Sequence, residues 1–245
     1  MFEETNKHES ELNRPTEPQA NADYQLHTDS PNIKLPIFTS VNQALELTDE
    51  YQILSNLTET LRKETLLKPV IIMVGGHSGC GKSTLSRELA DSLGMIHIQA
   101  DAVRKHINNI DVHSKGPAEI YSPRKSQETF LGMAERAEIL LRANIPVVLD
   151  GSFMAPYQRI IMEKLSMKTG IPMEGIWLKT DTQTQLNRVT TRTSSISDAR
   201  AEVVESMART HHNITPRYWH TVDTTPNLTK VLAEAERIVA AYKIT

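Results

Sequence analysis

Gly76-His77-Ser78-Gly79-Cys80-Gly81-Lys82-Ser83 reads G-x-x-x-x-G-K-S, with Thr84 next, and it follows the apolar run Pro69 to Val74. Glycines at these places let the backbone turn tightly, so that successive N–H groups converge on phosphate oxygens. A helix from Lys82 to Leu93 would aim its positive end at the same point. The Lys82 ammonium would then reach the β- and γ-phosphates, and the Ser83 hydroxyl would ligate magnesium. The spacing predicts a nucleoside-triphosphate cradle over Gly76–Thr84, with ATP or GTP as the nucleotide. Chance alone produces this pattern in about one in a hundred chains of this length. The competing reading is a glycine turn that binds nothing, and the buried strand expected just upstream argues against it.

Other candidate groups lie after the later apolar runs. Asp101 follows Met95 to Ile98, where an acceptor hydroxyl would approach the γ-phosphate; its carboxylate could take the hydroxyl proton or orient the nucleophile. The competing role is a cap on a short helix over Ala102–Ile107. Arg104, one turn on, could pair with an anionic group of an acceptor. Asp150 follows Pro146-Val147-Val148-Leu149 and is a candidate magnesium ligand, or alternatively the base. Arg188 and Arg192 stand four apart on a helix expected over Thr182–Arg192, and the polar stretch Thr193–Asp198 comes next. They could close as a lid over the transferring group, against the alternative of a solvated basic face. Asp111 to Gln127, with His113, Lys115, Tyr121, Arg124 and Lys125, is too long and polar for a plain connection and reads as a substrate-covering insertion. His211-His212 lack a third ligand at metal-like spacing. Cys80, the single cysteine, occupies a variable place in the glycine loop; at a helix N-terminus its thiol is expected to be somewhat acidified.

These groups need a frame. Apolar runs at Pro69–Val74, Met95–Ile98, Pro146–Leu149, Met173–Leu178 and Trp219–Val222 read as strands. Between and after them come helical stretches near Gln127–Ala143, Pro156–Thr169, Thr182–Arg192, Ala199–His211 and Asn227–Tyr242. That alternation predicts an α/β fold with a parallel sheet covered by helices on both faces, and ligands beyond the carboxyl ends of the strands. At 245 residues the chain has room for one sizeable domain and an appendage. Residues 1–39 are polar and proline-bearing and read as a flexible tail. Leu47, Tyr51, Leu54, Leu57 and Leu61 place one apolar face on a helical extension over 40–67, which packs on the core or docks a protein partner. The core domain spans 68–245. A net charge of −3 and 5% aromatics disfavour a nucleic-acid channel. No apolar run reaches eighteen residues, no secretory leader is evident, and one cysteine cannot form an internal disulfide; cytoplasm is the expected location, without membrane contact.

Gly76–Thr84, Asp101-Ala102-Val103-Arg104-Lys105, Val147–Phe153, and Arg188-x-x-x-Arg192 leading to Ser197-Asp198-Ala199 together resemble the small P-loop kinases of the nucleoside-monophosphate-kinase-like fold. More narrowly they are similar to predicted ATP-dependent kinases related to zeta toxins and to the kinase half of polynucleotide kinases. The resemblance spans about Lys68 to Tyr242. It implies a three-layer P-loop NTPase with strand order 2-3-1-4-5 and a helical lid. It also implies an ATP- and magnesium-dependent transfer of the γ-phosphate to a hydroxyl. Asp101 would activate the acceptor, Lys82, Arg188 and Arg192 would contact the transition state, and Arg104 would bind the acceptor. Cys80 stands where Ser is usual, Gly151 where Ala is frequent, and residues 1–67 have no counterpart in the minimal kinase. The leading expectation is a small-molecule acceptor of the sugar, nucleoside or nucleotide-sugar type. A polynucleotide 5′-hydroxyl kinase and a zeta-toxin-like kinase stand behind it. A nucleotide-dependent switch or scaffold without an acceptor is the reading from another class, and the absence of an Asn/Thr-Lys-x-Asp base-reading motif counts against it.

Overall fold

Val70 to Val74 are aliphatic on every position, so a strand formed there must be covered on both faces, as central parallel strands are. The computed structural model bears this out. It describes residues 65–191, 196–198, 201–208 (of 205–208 the backbone only) and 218–244. All fall within the compact unit Leu45–Thr245; the unit Met1–Ala44 lies outside the described residues, as do the tail and nearly all of the expected helical extension.

Five strands, β1 (Ile71–Gly76), β2 (Ile96–Gln99), β3 (Val147–Asp150), β4 (Met173–Lys179) and β5 (Trp219–Asp223), form one parallel sheet in the order β2-β3-β1-β4-β5. This is the order the family resemblance implies. Along β1 successive side chains alternate between the two faces. Ile71 and Met73 join Val147, Leu149, Phe130, Met133 and Leu140 on one side. Ile72 and Val74 join Leu85, Leu89, Val148, Ile176 and Val231 on the other.

The helices behind these cores are α1 (Lys82–Leu93), α2 (Ala100–Ile107), α3 (Pro123–Arg142), α4 (Pro156–Thr169), α5 (Thr182–Thr190), α6 (Ala201–Ala208) and α7 (Leu228–Val239). α1 buries Leu85, Leu89 and Leu93 at four-residue steps and ends at Gly94, whose left-handed backbone closes the last turn onto Ala90 O. α3 starts at Pro123, four residues before its expected start, because Ser122 accepts the Lys125 N–H and Pro123 occupies the first helical position. α5 stops at Thr190, short of the expected Arg192, which lies outside the described residues together with His211 and His212. Among the described residues, no helix is long and apolar enough to cross a membrane.

Strand register aligns the chemistry. Val74 pairs with Asp150, and Gln99 pairs with the same Asp150 from the other side. The carboxyl ends of β1, β3 and β2 therefore deliver the glycine loop, Asp150 and the start of α2 to one rim. The crossover from β1 to β2 passes over β3, so that rim is the switch point where such sheets bind ligands.

Candidate active site

The glycine loop leaves β1 through backbone that side chains resist. Gly76, Gly79 and Gly81 have φ of 134°, 81° and 91°. A Cβ on Gly79 would lie 2.6 Å from the Gln185 carbonyl oxygen, whereas one on Gly81 would meet only Arg188 Nη1, at 3.8 Å. The loop thus packs tightly against α5 at one end and faces an open cavity at the other. Lys82 Nζ lies over it, donating to His77 O at 2.8 Å. The Ser83 hydroxyl accepts from Gln99 Nε2 at 3.1 Å.

Cys80 is buried behind the loop. Burial pushes its thiol above the ordinary range, and the nearby Lys82 charge and main-chain hydrogen bonds only partly offset this. The expected acidification is therefore wrong: the side chain points into the low-polarity core, where desolvation of a thiolate outweighs the helix N-terminus.

Asp150 is 3% exposed, and its Oδ2 lies 3.3 Å from His97 Nε2 on β2. Beyond it the chain turns through Gly151 to Phe153, a bulky residue at φ 49°. The Phe153 ring is fixed at 5.3 Å from Phe130 and 5.8 Å from Trp219, and Gly76 N–H donates to Ser152 O at 3.2 Å. A strained backbone held by aromatic packing thus ties the Asp150 turn to the glycine loop.

Asp101 is not a helix cap. α2 begins at Ala100, with Gln99 before it, and Asp101 sits inside the first turn without a capping bond. Its Oδ1 instead accepts from Arg104 Nη1 at 3.1 Å. Arg104 is itself buried; its Nε donates to Ile120 O at 3.3 Å and its guanidinium lies 4.8 Å from the Tyr121 ring centroid. Arg188 is braced across the sheet ends, with Nη1 donating to Thr224 Oγ1 at 3.1 Å and Nη2 to Thr224 O at 2.7 Å.

A further cluster joins segments far apart in sequence. Lys105, 1% exposed, donates to Val112 O at 3.2 Å, Ile196 O at 2.7 Å and Asp198 Oδ1 at 2.9 Å. The other Asp198 oxygen accepts from Gly116 N at 2.8 Å and from the Tyr121 hydroxyl at 2.7 Å. Burial acts to raise the Asp198 carboxyl, but the bonds from Tyr121, Gly116 and Lys105 outweigh it and hold it below its usual value. Burial, then the bond to Asp198, pushes the Tyr121 hydroxyl well up.

The glycine loop, Asp101, Arg104, Asp150, Arg188 and Asp198 open on one cavity of about 1370 Å³. One end is lined by Gly76, Ser78 to Leu85, Arg188, Thr224, Pro226 and Leu228, the other by Asp101, Arg104, His113, Lys115, Tyr121 and Asp198, with Asp150 between, as the strand order places it. Sequence reasoning named the loop, Asp101, Arg104, Asp150 and Arg188, and the structure brings them together. It assigned no role to Gln99, His97, Lys105, Thr224 or Asp198; of these, Lys105 and Asp198 carried a signal, as parts of the Asp101–Lys105 and Ser197–Ala199 segments of the family resemblance. Arg192 lies outside the described residues, and so does the 193–195 part of the expected lid.

A family model described as an AAA domain matches residues 70–214, more than half of the chain. The chain belongs to this AAA-domain family. Among curated proteins, this AAA-domain chain is 28% identical over 142 residues to the uncharacterized protein Rv2004c of Mycobacterium tuberculosis strain H37Rv. The alignment covers 56% of the chain but 28% of that relative, so the chain spans little more than a quarter of it. A 39-residue stretch is 41% identical to a cytidylate kinase of Porphyromonas gingivalis, covering 16% of the chain and 17% of that enzyme. Solved structures share the fold. A putative kinase from Chloroflexus aurantiacus aligns with a TM-score of 0.56 at 20% identity, covering 73% of the chain and all of that one. A sugar kinase from Janibacter sp. HTCC2649 aligns at 0.55 and 18% identity, covering 70% and 95%. The APS kinase CysC of Mycobacterium tuberculosis aligns at 0.52 and 15% identity, covering 71% and 99%. The AAA-domain chain has a kinase-like P-loop fold.

Proposed function

We propose that the protein is an ATP- and magnesium-dependent kinase that transfers the γ-phosphate to a hydroxyl of a small molecule of the sugar, nucleoside or nucleotide-sugar type. One observation carries this reading: the glycine cradle and the Asp101 carboxylate open on the same cavity, with Asp150 between them. At about 1370 Å³ that cavity exceeds the roughly 300–1,000 Å³ of a single-ligand site and has room for a nucleotide beside a second molecule.

The main-chain amides from Gly79 to Thr84 would hold the polyphosphate at the α1 N-terminus. Lys82, released from the His77 carbonyl, would bridge the β- and γ-phosphates. Asp101, oriented by Arg104, would take the acceptor proton as the acceptor oxygen bonds to the γ-phosphorus. The bond from that phosphorus to the β,γ-bridging oxygen breaks, and ADP leaves. Arg188 stands over Gly81 and would stabilise charge on the transferring group. A hydroxyl (Ser83) and a buried carboxylate (Asp150) at the phosphate end are hard oxygen donors of the kind magnesium takes, so the residues fit the ion. Magnesium held there would neutralise polyphosphate charge and orient the chain of phosphates.

The test is ATP-dependent phosphate incorporation across a metabolite and oligonucleotide panel, with wild type and Asp101→Asn side by side. Transfer to a small hydroxyl compound that the variant loses, with nucleotide affinity intact, supports the reading. ATP hydrolysis indifferent both to acceptors and to Asp101→Asn overturns it in favour of a switch.

A further inference from the structure

Among the described residues the Arg104 guanidinium meets Ile120 O and the Tyr121 ring, both from the 3-10 turn Ala118–Tyr121, and one further group. The third is the carboxylate of Asp101. The orientation of the guanidinium, and through it of Asp101, is therefore set by where that turn sits against α2. Three bonds from Lys105 and Asp198 tie down the turn and the loop leading into it. Lys105 holds the Val112 carbonyl, and Asp198 holds the Gly116 amide and the Tyr121 hydroxyl. Asp198 belongs to the segment after α5, some eighty residues away, and that segment is itself anchored by Ile196 O on Lys105.

We infer that Asp198, acting with Lys105 and Tyr121, is a positioning group that sets the Asp101 carboxylate towards the acceptor and couples its geometry to the seating of segment 196–198. This rests on the reading of Asp101 as the group that receives the acceptor proton. The physical basis is the saturation of the cluster. Each Lys105 proton has an acceptor, and both oxygens of Asp198 have donors. A network of this kind holds one arrangement, since displacing Asp198 leaves the buried Lys105 ammonium without its counter-charge. If the segment lifts, the turn loses two of its anchors, and Arg104 loses its platform and its carbonyl together. Arg104 thereby acts as a positioning residue through Nε and Nη1, which serve Ile120 and Asp101.

Tyr121→Phe is the discriminating variant, because it retains the ring beneath Arg104 and deletes only the hydroxyl bond to Asp198. With an acceptor in hand, kcat and KM for acceptor and nucleotide are measured for wild type, Tyr121→Phe and Asp198→Asn, each also combined with Asp101→Asn. The expected result is a loss of about tenfold or more in acceptor kcat/KM for Tyr121→Phe, with the nucleotide KM within about twofold. In the Asp101→Asn background the same change should cost the residual transfer almost nothing. Hydrogen exchange on the full chain gives a readout independent of turnover: Asp198→Asn should raise exchange at 112–121 and leave 76–84 unchanged. Equal losses in both Asp101 backgrounds, or undisturbed acceptor kcat/KM in both variants, overturns the inference. So does unaltered exchange at 112–121. If wild type phosphorylates nothing in the panel, the kinase reading falls, and the exchange result alone decides whether Asp198 places the turn.

Discussion

Two glycines in the phosphate loop should respond to alanine in opposite ways. Both have positive φ, 81° at Gly79 and 91° at Gly81, so alanine at either site incurs left-handed strain of about 1–2 kcal/mol. Their surroundings differ. A methyl on Gly79 would lie 2.6 Å from Gln185 O and 2.8 Å from Gln185 Cα, which are backbone atoms that cannot swing aside. Loop or α5 must shift, adding about 1–3 kcal/mol as overpacking does. A methyl on Gly81 has only Arg188 Nη1 nearby, at 3.8 Å, and projects into the cavity where phosphate oxygens would approach the amides. Gly79→Ala should therefore destabilise the fold by about 2–5 kcal/mol, and Gly81→Ala by about 1–2. Nucleotide affinity should reverse the ranking per unit of stability lost, with Gly81→Ala weakening ATP binding by about tenfold or more, equivalent to about 1.4 kcal/mol. Urea unfolding without nucleotide and calorimetric titration with a non-hydrolysable ATP analogue read the two quantities separately. Equal destabilisation within about 0.5 kcal/mol would refute the close approach to α5. Full ATP affinity in Gly81→Ala would refute the placing of phosphate against that face.

Asp101→Asn should cut acceptor-dependent transfer by about 10²–10⁴-fold and leave the nucleotide dissociation constant unchanged, checked by steady-state kinetics and titration. Thr224→Val removes the bonds of the hydroxyl to Arg188 Nη1 and Lys179 O, and keeps those of the Thr224 carbonyl to Arg188 and of the Thr224 amide to Lys179 O. It should lower kcat by about tenfold with little change in Tm, and an unchanged kcat counts against a role for Arg188 at the transferring group. The Asp198 carboxyl is held below its ordinary value of 3.8, so its stabilising contribution is present above that pH and disappears as the pH falls through the lower folded value. The stability gap between wild type and Asp198→Asn should accordingly be full at pH 6 and narrow below pH 3.8, read from urea midpoints across pH. A gap that persists unchanged into that acid range contradicts the bonded carboxylate.

The parts of the site legible in the sequence are those carried by local pattern. The glycine loop announces itself because each of its glycines answers a local steric demand, and Asp101 and Asp150 because they end apolar runs. The strand limits drifted by one or two residues for a related reason. Gln99, Asp150 and Asp223 are polar yet complete their strands, since ladder pairing with a neighbour decides where a strand ends, and composition does not. What could not be read is whatever depends on packing between distant segments. Whether the Cys80 thiol faces solvent or the core is invisible at a helix N-terminus, and the core outweighed the dipole. Lys105 looks like a surface lysine on a short helix until Val112, Ile196 and Asp198 are placed around it.

Adjacent residues of α2 show why the distant contacts matter for chemistry. Asp101 and Arg104 are three apart, so the helix alone brings them within reach of each other. Such a pair on an exposed helix would be loose and of little energetic consequence. Here the Arg104 guanidinium is buried and braced from a second direction by the turn at Ala118–Tyr121. That brace in turn hangs on Asp198, with Lys105 on the next residue of the helix holding its other oxygen. One turn of α2 thus sends Arg104 to the carboxylate at the acceptor end and Lys105 to the carboxylate that fixes the wall around it. A general base is effective only when its oxygen is held near the attacking hydroxyl, and misplacement by about 1 Å can cost about 10²-fold. In the proposed reaction, the pairing of Arg104 and Lys105 with two different acids would supply that constraint on Asp101.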